Sequence, residues 1–257
     1  MKMRNIILPA LLGVALFSSC SDTTGPGDTS AAKVALYNGT GTWSIDVTAL
    51  NNMFQWMGYD VTKVNSNIVL GDALSNYSIL CIPGGYPDVF AEDFGPNGLQ
   101  KIRDFVEDGG LYIGFCAGAM LAGNKSTWNG QPDSYENLAI ANTSTVGPIN
   151  SYENPSMLSI ALNSEHPAVG ESSEELVLFA GGSYCTSGSG TETIGSYPNG
   201  KRAIISAQYG QGRAILFCVH PEFEEDSDRD GVDYYDHLDD NGSDWDLVKI
   251  IAQWAAQ

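Results

Sequence analysis

The 257-residue chain is 43% hydrophobic and 17% charged, enough for one sizeable core and too little for two ordinary domains with tails. Acidic residues outnumber basic ones 31 to 12, giving a formal net charge of -19. That balance excludes nucleic acid as a partner, because phosphate binding needs a basic footprint.

The chain begins with a targeting pattern. Lys2 and Arg4 flank the start of an apolar stretch, Ile6 to Phe17, too short to span a bilayer as a helix. It ends in Leu16-Phe17-Ser18-Ser19-Cys20, and small residues directly before a cysteine resemble a bacterial lipoprotein signal. The expectation is a signal over 1–20 with lipid attached at Cys20. Residues 21–32 (SDTTGPGDTSAA) read as a flexible polar tether. The folded domain is expected over 33–257, lipid-anchored to a membrane at the bacterial cell envelope and facing away from the cytoplasm.

KVALY (33–37) predicts a first strand. Leu50, Met53, Phe54 and Met57 then fall at helical spacing, with Gly58 as the stop. YDVTKV (59–64) and SILCIPGG (78–85) are further strands, the latter fully apolar and broken at Pro83-Gly84-Gly85. Leu99, Ile102, Phe105 and Val106 mark a second helix before the strand LYIGF (111–115). Strand and helix alternating at this spacing mean βαβ units and a parallel sheet covered on both faces.

Residues 123–173 carry little periodicity. ELVLFAGG (175–182), KRAIISAQ (201–208) and RAILFCVH (213–220) are strands, the last two joined as a hairpin through Tyr209-Gly210-Gln211-Gly212. A closing helix follows, with Ser243 and Asp246 at capping-box spacing and Leu247, Ile250, Ile251 and Trp254 as its buried stripe. The five tryptophans read as core and pocket walls.

Gly114-Phe115-Cys116-Ala117-Gly118 places one thiol between two glycines where a buried strand gives way to a helix. That is the spacing of a nucleophile elbow, and a helix N-terminus favours thiolate. A thiolate needs a base and an oxyanion site. The chain has three histidines, His166, His220 and His237. Only His220 directly follows a predicted strand, and functional groups gather at the carboxyl ends of parallel strands. Glu222 stands two residues on and can orient the imidazole. The amides of Gly85 and Ala117 are the oxyanion candidates. Cys81 and Cys218 read as small buried hydrophobes. A disulfide such as Cys185 with Cys116 would block chemistry at Cys116.

Three motifs in order, the PGG loop at 83–85, the GFCAG turn at 114–118 and His220-Pro221-Glu222, resemble the class I glutamine amidotransferase-like superfamily. Within it the chain looks most like the group named after the N-terminal domain of biotin–protein ligase. YNGTGT (37–42), PGGYPDVF (83–90), FVEDGGLYIGFCAGAM (105–120), FAGGSY (179–184), YGQGRAILFCVHPE (209–222) and GSDWDL (242–247) carry that likeness. It implies a flavodoxin-like three-layer α/β sandwich with a mostly parallel central sheet, and a catalytic triad of Cys116, His220 and Glu222. It further implies a cysteine-dependent amidohydrolase acting on an amide or acyl carbon, with no required cofactor. Nothing in the chain looks like a ligase catalytic domain, so biotin ligation is not expected. The alternative is a catalytically idle envelope binding module on the same fold, its partner undefined, with Trp128 and Tyr135 of the middle region at the binding surface.

The segment from Glu222 to Asp246 carries twelve acidic residues and one arginine. Asp226, Asp228 and Asp230 followed by Gly231 match the start of a calcium loop, while its ninth and twelfth positions are Tyr234 and His237. Calcium at these three aspartates is weighed against a solvated acidic loop.

Overall fold

The computed structural model describes residues 32–149, 154–224, 228–238 and 242–257. The first half of the fold contains β1 (Lys33–Tyr37), α1 (Ser44–Trp56), β2 (Asp60–Val64), α2 (Ser66–Leu70), β3 (Ile79–Ile82), α3 (Pro87–Glu107), β4 (Leu111–Phe115) and α4 (Ala117–Ala122). The second half adds β5 (Lys125–Trp128), β6 (Gln131–Pro132), β7 (Ser144–Gly147), β8 (Ser156–Leu162) and β9 (Glu174–Phe179). It closes with β10 (Tyr184–Cys185), β11 (Thr191–Ser196), β12 (Arg202–Tyr209), β13 (Gly212–Phe217) and α5 (Trp245–Ala255).

The strands make one mixed sheet ordered β2-β1-β3-β4-β13-β12-β10-β7-β5-β6; β11 pairs with β12 and β8, and β9 with β8. Neighbours among β2, β1, β3, β4 and β13 are parallel. Every residue of β3 and β4 is buried, as strands covered by helices demand. Helix α1 packs on β1 and β2, α4 on β3, β4 and β13, and α3 on α4 and β13. Pairings Leu36↔Cys81, Cys81↔Ile113 and Phe115↔Phe217 bring the carboxyl ends of these strands to one edge.

Most predicted elements are present. Strands β12 and β13 form the expected antiparallel hairpin. Leu50, Met53 and Phe54 are the buried stripe of α1. Two helices and the middle of the chain differ. Helix α3 begins at Pro87, well before the apolar spacing at Leu99, and breaks at Gly95, whose φ is +60°. Pro87 opens a helix without penalty, since the first N–H has no intrahelical partner. In α5 the capping box does not form: Asp244 is the N-cap and makes no side-chain cap bond. Ser243 Oγ instead accepts the Trp245 N–H at 3.1 Å and donates to Glu224 Oε1 at 2.8 Å. The helix is also turned, burying Trp245, Leu247, Val248 and Ile251 and leaving Ile250 43% exposed. The unreadable middle supplies β5 to β7, short strands at one end of the sheet, and the seven-residue β8, which pairs with β9 and β11.

Candidate functional site

Four elements deliver polar side chains to the carboxyl edge of the parallel strands. Cys116 follows β4, at φ +46° and ψ -104°, a backbone state that L-residues rarely adopt. The glycines around it explain how the turn fits. A Cβ on Gly114 would overlap the backbone of Gly118, and one on Gly118 would overlap the Ile82 carbonyl. The Gly118 N–H donates to the Pro83 carbonyl at 3.2 Å, tying α4 to the loop that carries Gly84 and Gly85. Gly85 itself bridges antiparallel to Thr42.

His220 follows β13. Its N–H donates to the Leu178 carbonyl at the end of β9, at 2.9 Å. Its Nδ1 lies 2.8 Å from Glu222 Oε1 and 3.5 Å from Asp46 Oδ1. Glu222 is held at its main chain by Trp245, whose Nε1 donates to the Glu222 carbonyl at 2.9 Å. Phe223 packs on the His220 ring and Tyr235 on Phe223, within a small apolar cluster that includes Ala49 and Leu178. Asp46, His220 and Glu222 are 0%, 1% and 0% exposed. One ligand atom from each lies within 4.8 Å of the others, so the protein contains a buried cluster capable of coordinating a divalent cation.

Asp46 is the residue that sequence reading missed. It sits in the first turn of α1, one turn before Leu50 on the same face. A carboxylate on a helix's apolar stripe was the available signal. Its placement also explains Gly84, where any Cβ would overlap Asp46 Oδ2.

Three ionisable groups in one dry site disturb one another. Burial pushes the Glu222 carboxyl up, with His220 opposing and Asp46 adding to the rise, to about 8. Burial alone would depress His220, but Glu222, Cys116 and Asp46 outweigh it and hold the imidazole well above its ordinary value. Cys116 is therefore close enough to act on the imidazole's charge. The thiol acts on the imidazole by charge and by side-chain contact, yet His220 Nε2 makes no hydrogen bond of ordinary geometry among the described residues.

That geometry corrects the expected cysteine hydrolase. The side chains drawn together are Asp46, His220 and Glu222, and Cys116 stands outside the cluster. A general base works on its nucleophile through a hydrogen bond, and the one of ordinary geometry that His220 makes to a side chain goes to Glu222. All four described cysteines are free and buried. The Cys185–Cys116 disulfide is likewise absent, since the Cys185 neighbour is Cys218, with the sulfurs 3.6 Å apart.

The calcium expectation lies partly outside the described residues, at Asp226. Asp228 and Asp230 fall in a short 3-10 turn. Both Asp230 oxygens accept backbone N–H groups, Oδ2 from Glu224 and Oδ1 from Val232, so this carboxylate caps its own loop. The cation-capable cluster found among the described residues is the one at Asp46, His220 and Glu222. His237 is exposed, and His166 is buried against Ser206 and Trp254, away from this cluster's hydrogen bonds.

Residues 32–139 match the family described as Biotin-protein ligase, N terminal. Among curated proteins no sequence matches. Solved structures share the architecture. A chain of PurLQS from Thermotoga maritima is 14% identical, with a TM-score of 0.61 over 87% of this chain and 99% of that one. A glutamine amidotransferase from Thermotoga maritima is 12% identical, with a TM-score of 0.60 over 88% and 98%. A cytoplasmic protein from Salmonella typhimurium is 17% identical, with a TM-score of 0.57 over 87% and 98%. The fold is thus α/β with a central mixed sheet, of the class I glutamine amidotransferase, flavodoxin-like kind.

The same comparison corrects the lipoprotein reading. The lipid-anchored, extracytoplasmic location and its membrane partner gain no support: a structure of this architecture, 17% identical, is named a cytoplasmic protein. Cys20 and the signal pattern lie outside the described residues. Among the described residues no helix is long and apolar enough to cross a membrane.

Proposed function

We propose that the protein is a binding module on the glutamine amidotransferase-like fold, formed by residues 33–257, with Cys116 idle in acyl chemistry. The observation that supports this is the make-up of the buried cluster: two carboxylates and one imidazole, with the thiol outside it. The ligand site is the strand edge carrying Gly85, Cys116, Ala117, His220 and Glu222, with Asp46 beneath. Gly85 and Ala117 are assigned as backbone walls of that site. Two carboxylates facing one imidazole, in a chain of net charge -19, favour a ligand that brings positive charge.

The test pairs a binding readout with a turnover readout on the full chain. Thermal shift against divalent chlorides and small alkylamines reports binding, and ammonia release from glutamine reports hydrolysis. The expected result is a ligand-dependent shift in both the wild type and Cys116→Ala, with no ammonia above background. Ammonia release that Cys116→Ala abolishes would overturn the reading.

A further inference from the structure

We propose that Asp46, His220 and Glu222 bind a first-row divalent cation of the zinc and manganese class, through Nδ1 of His220 and one oxygen from each carboxylate. The inference deepens the binding-module reading and rests on it. Two independent observations carry it.

The first is donor placement. The three candidate atoms lie within 4.8 Å of one another, with Nδ1 2.8 Å from Glu222 Oε1 and 3.5 Å from Asp46 Oδ1. A cation about 2.1 Å from each donor sets donor pairs roughly 3.4 Å apart in a tetrahedron. Small side-chain rotations reach that spacing.

The second is a deficit of hydrogen-bond donors. Both oxygens of Asp46 and Oε2 of Glu222 are buried and accept no hydrogen bond of ordinary geometry from the described residues; Asp46 has only long contacts, with His220 Nδ1 3.5 Å away and the Glu222 carboxyl beside it. A dry carboxylate without donors costs several kcal/mol, and proteins keep such groups where they are paired or hold a metal. One imidazole nitrogen cannot satisfy two carboxylates. A divalent cation neutralises both and leaves the imidazole neutral. The donor chemistry narrows the metal. Magnesium and calcium take six or more oxygens, whereas one imidazole with two carboxylates suits zinc or manganese. The immediate surroundings are apolar or neutral: Phe223 lies against the ring, and Gly84 leaves room for Asp46.

The experiment uses chelator-treated full-length protein titrated with manganese, zinc and cobalt chlorides. Calorimetry gives stoichiometry, and cobalt absorption reports the ligands. One equivalent is expected to bind, with visible cobalt bands and no near-ultraviolet thiolate band. Asp46→Asn should weaken binding about 100-fold, as loss of one of three ligands implies. Glu222→Gln, which preserves shape, is the second variant if the first misfolds, and should do the same. Binding unchanged in both variants would mark adventitious metal and overturn the site. A thiolate band would overturn the ligand set. Absence of uptake, with Asp46→Asn raising the melting temperature, would assign one proton shared between the carboxyls and overturn the cation. Cysteine-dependent turnover would overturn the binding-module reading alone and leave the metal stoichiometry intact.

Discussion

Asp46 Oδ1 lies 3.5 Å from His220 Nδ1, although one residue sits in the first turn of α1 near the start of the fold and the other follows β13 near its finish. Glu222 reaches the same nitrogen at 2.8 Å and makes the hydrogen bond. Equal burial therefore hides unequal roles. Removing Glu222 strips a charged hydrogen bond, and Glu222→Ala is expected to cost about 2–3 kcal/mol in chelated protein. Removing Asp46 relieves an undersatisfied buried charge, and Asp46→Ala is expected to be neutral or to stabilise by about 1 kcal/mol under the same conditions. Urea melts of the two variants check the ordering. Equal losses would show that Asp46 carries hidden bonds.

The sequence disclosed the strand ends better than it disclosed the site. Hydrophobic runs at β1, β3, β4 and β13 set a parallel sheet, and that sheet brings Cys116, His220 and Glu222 to one edge whatever their roles. Asp46 stayed hidden because helix spacing reports which face is buried and says nothing of what a buried carboxylate meets. Adjacency at a sheet edge does not by itself define chemistry. The expected Glu222–His220 hydrogen bond is present at 2.8 Å, while Cys116, though it neighbours His220, lies outside the tight cluster with Asp46. The middle of the chain was illegible for another reason. Its strands β5 to β7 are two to four residues long and only partly buried, so alternation has too few positions to register.

Gly84 should be intolerant of a side chain for a reason confined to the cluster. A Cβ there overlaps Asp46 Oδ2, and the Asp46 carboxylate must move away. Gly84→Ala is expected to lose about 1–3 kcal/mol from overpacking. Its sharper effect is on binding, because the displaced carboxylate leaves the donor set. A double variant with Asp46→Ala should recover most of the stability, since the clash has gone. Calorimetric melts of the single and double variants measure that recovery. A double variant as unstable as Gly84→Ala would place the clash elsewhere.

Trp245 positions Glu222 through the main chain. Its Nε1 donates to the Glu222 carbonyl, and the Arg229 guanidinium lies 4.2 Å from its ring. Arg229 is in turn paired with Glu224 at 2.6 Å. Trp245→Phe keeps most of the burial but loses the donor and part of the cation–π contact. The expected cost is about 1–2 kcal/mol. Hydrogen exchange should then quicken at His220 to Glu224 before it does in β4. Uniform quickening would mean that Trp245 acts as bulk core.

His166 gives a pH dependence separate from the ligand site. Its Nδ1 accepts the Ala168 N–H at 3.2 Å, while Nε2 faces Ser206 Oγ at 3.2 Å and Glu192 Oε2 at 3.3 Å. The Trp254 ring packs against it. Burial lowers its pKa below the ordinary 6.5, and Glu192 only partly offsets that. Protonation at Nδ1 would also break the Ala168 bond. A depressed histidine pKa means that the unfolded chain binds the extra proton more readily. The stability it confers is complete above pH 6.5 and is lost as pH falls through the folded value. Thermal melts of wild type and His166→Gln between pH 7.5 and 5.5 isolate this contribution from the carboxyl groups, which titrate in both proteins. The gap between the two melting temperatures should narrow toward pH 5.5. A gap that widens on acidification would mean that Glu192 dominates and the imidazole is charged in the fold.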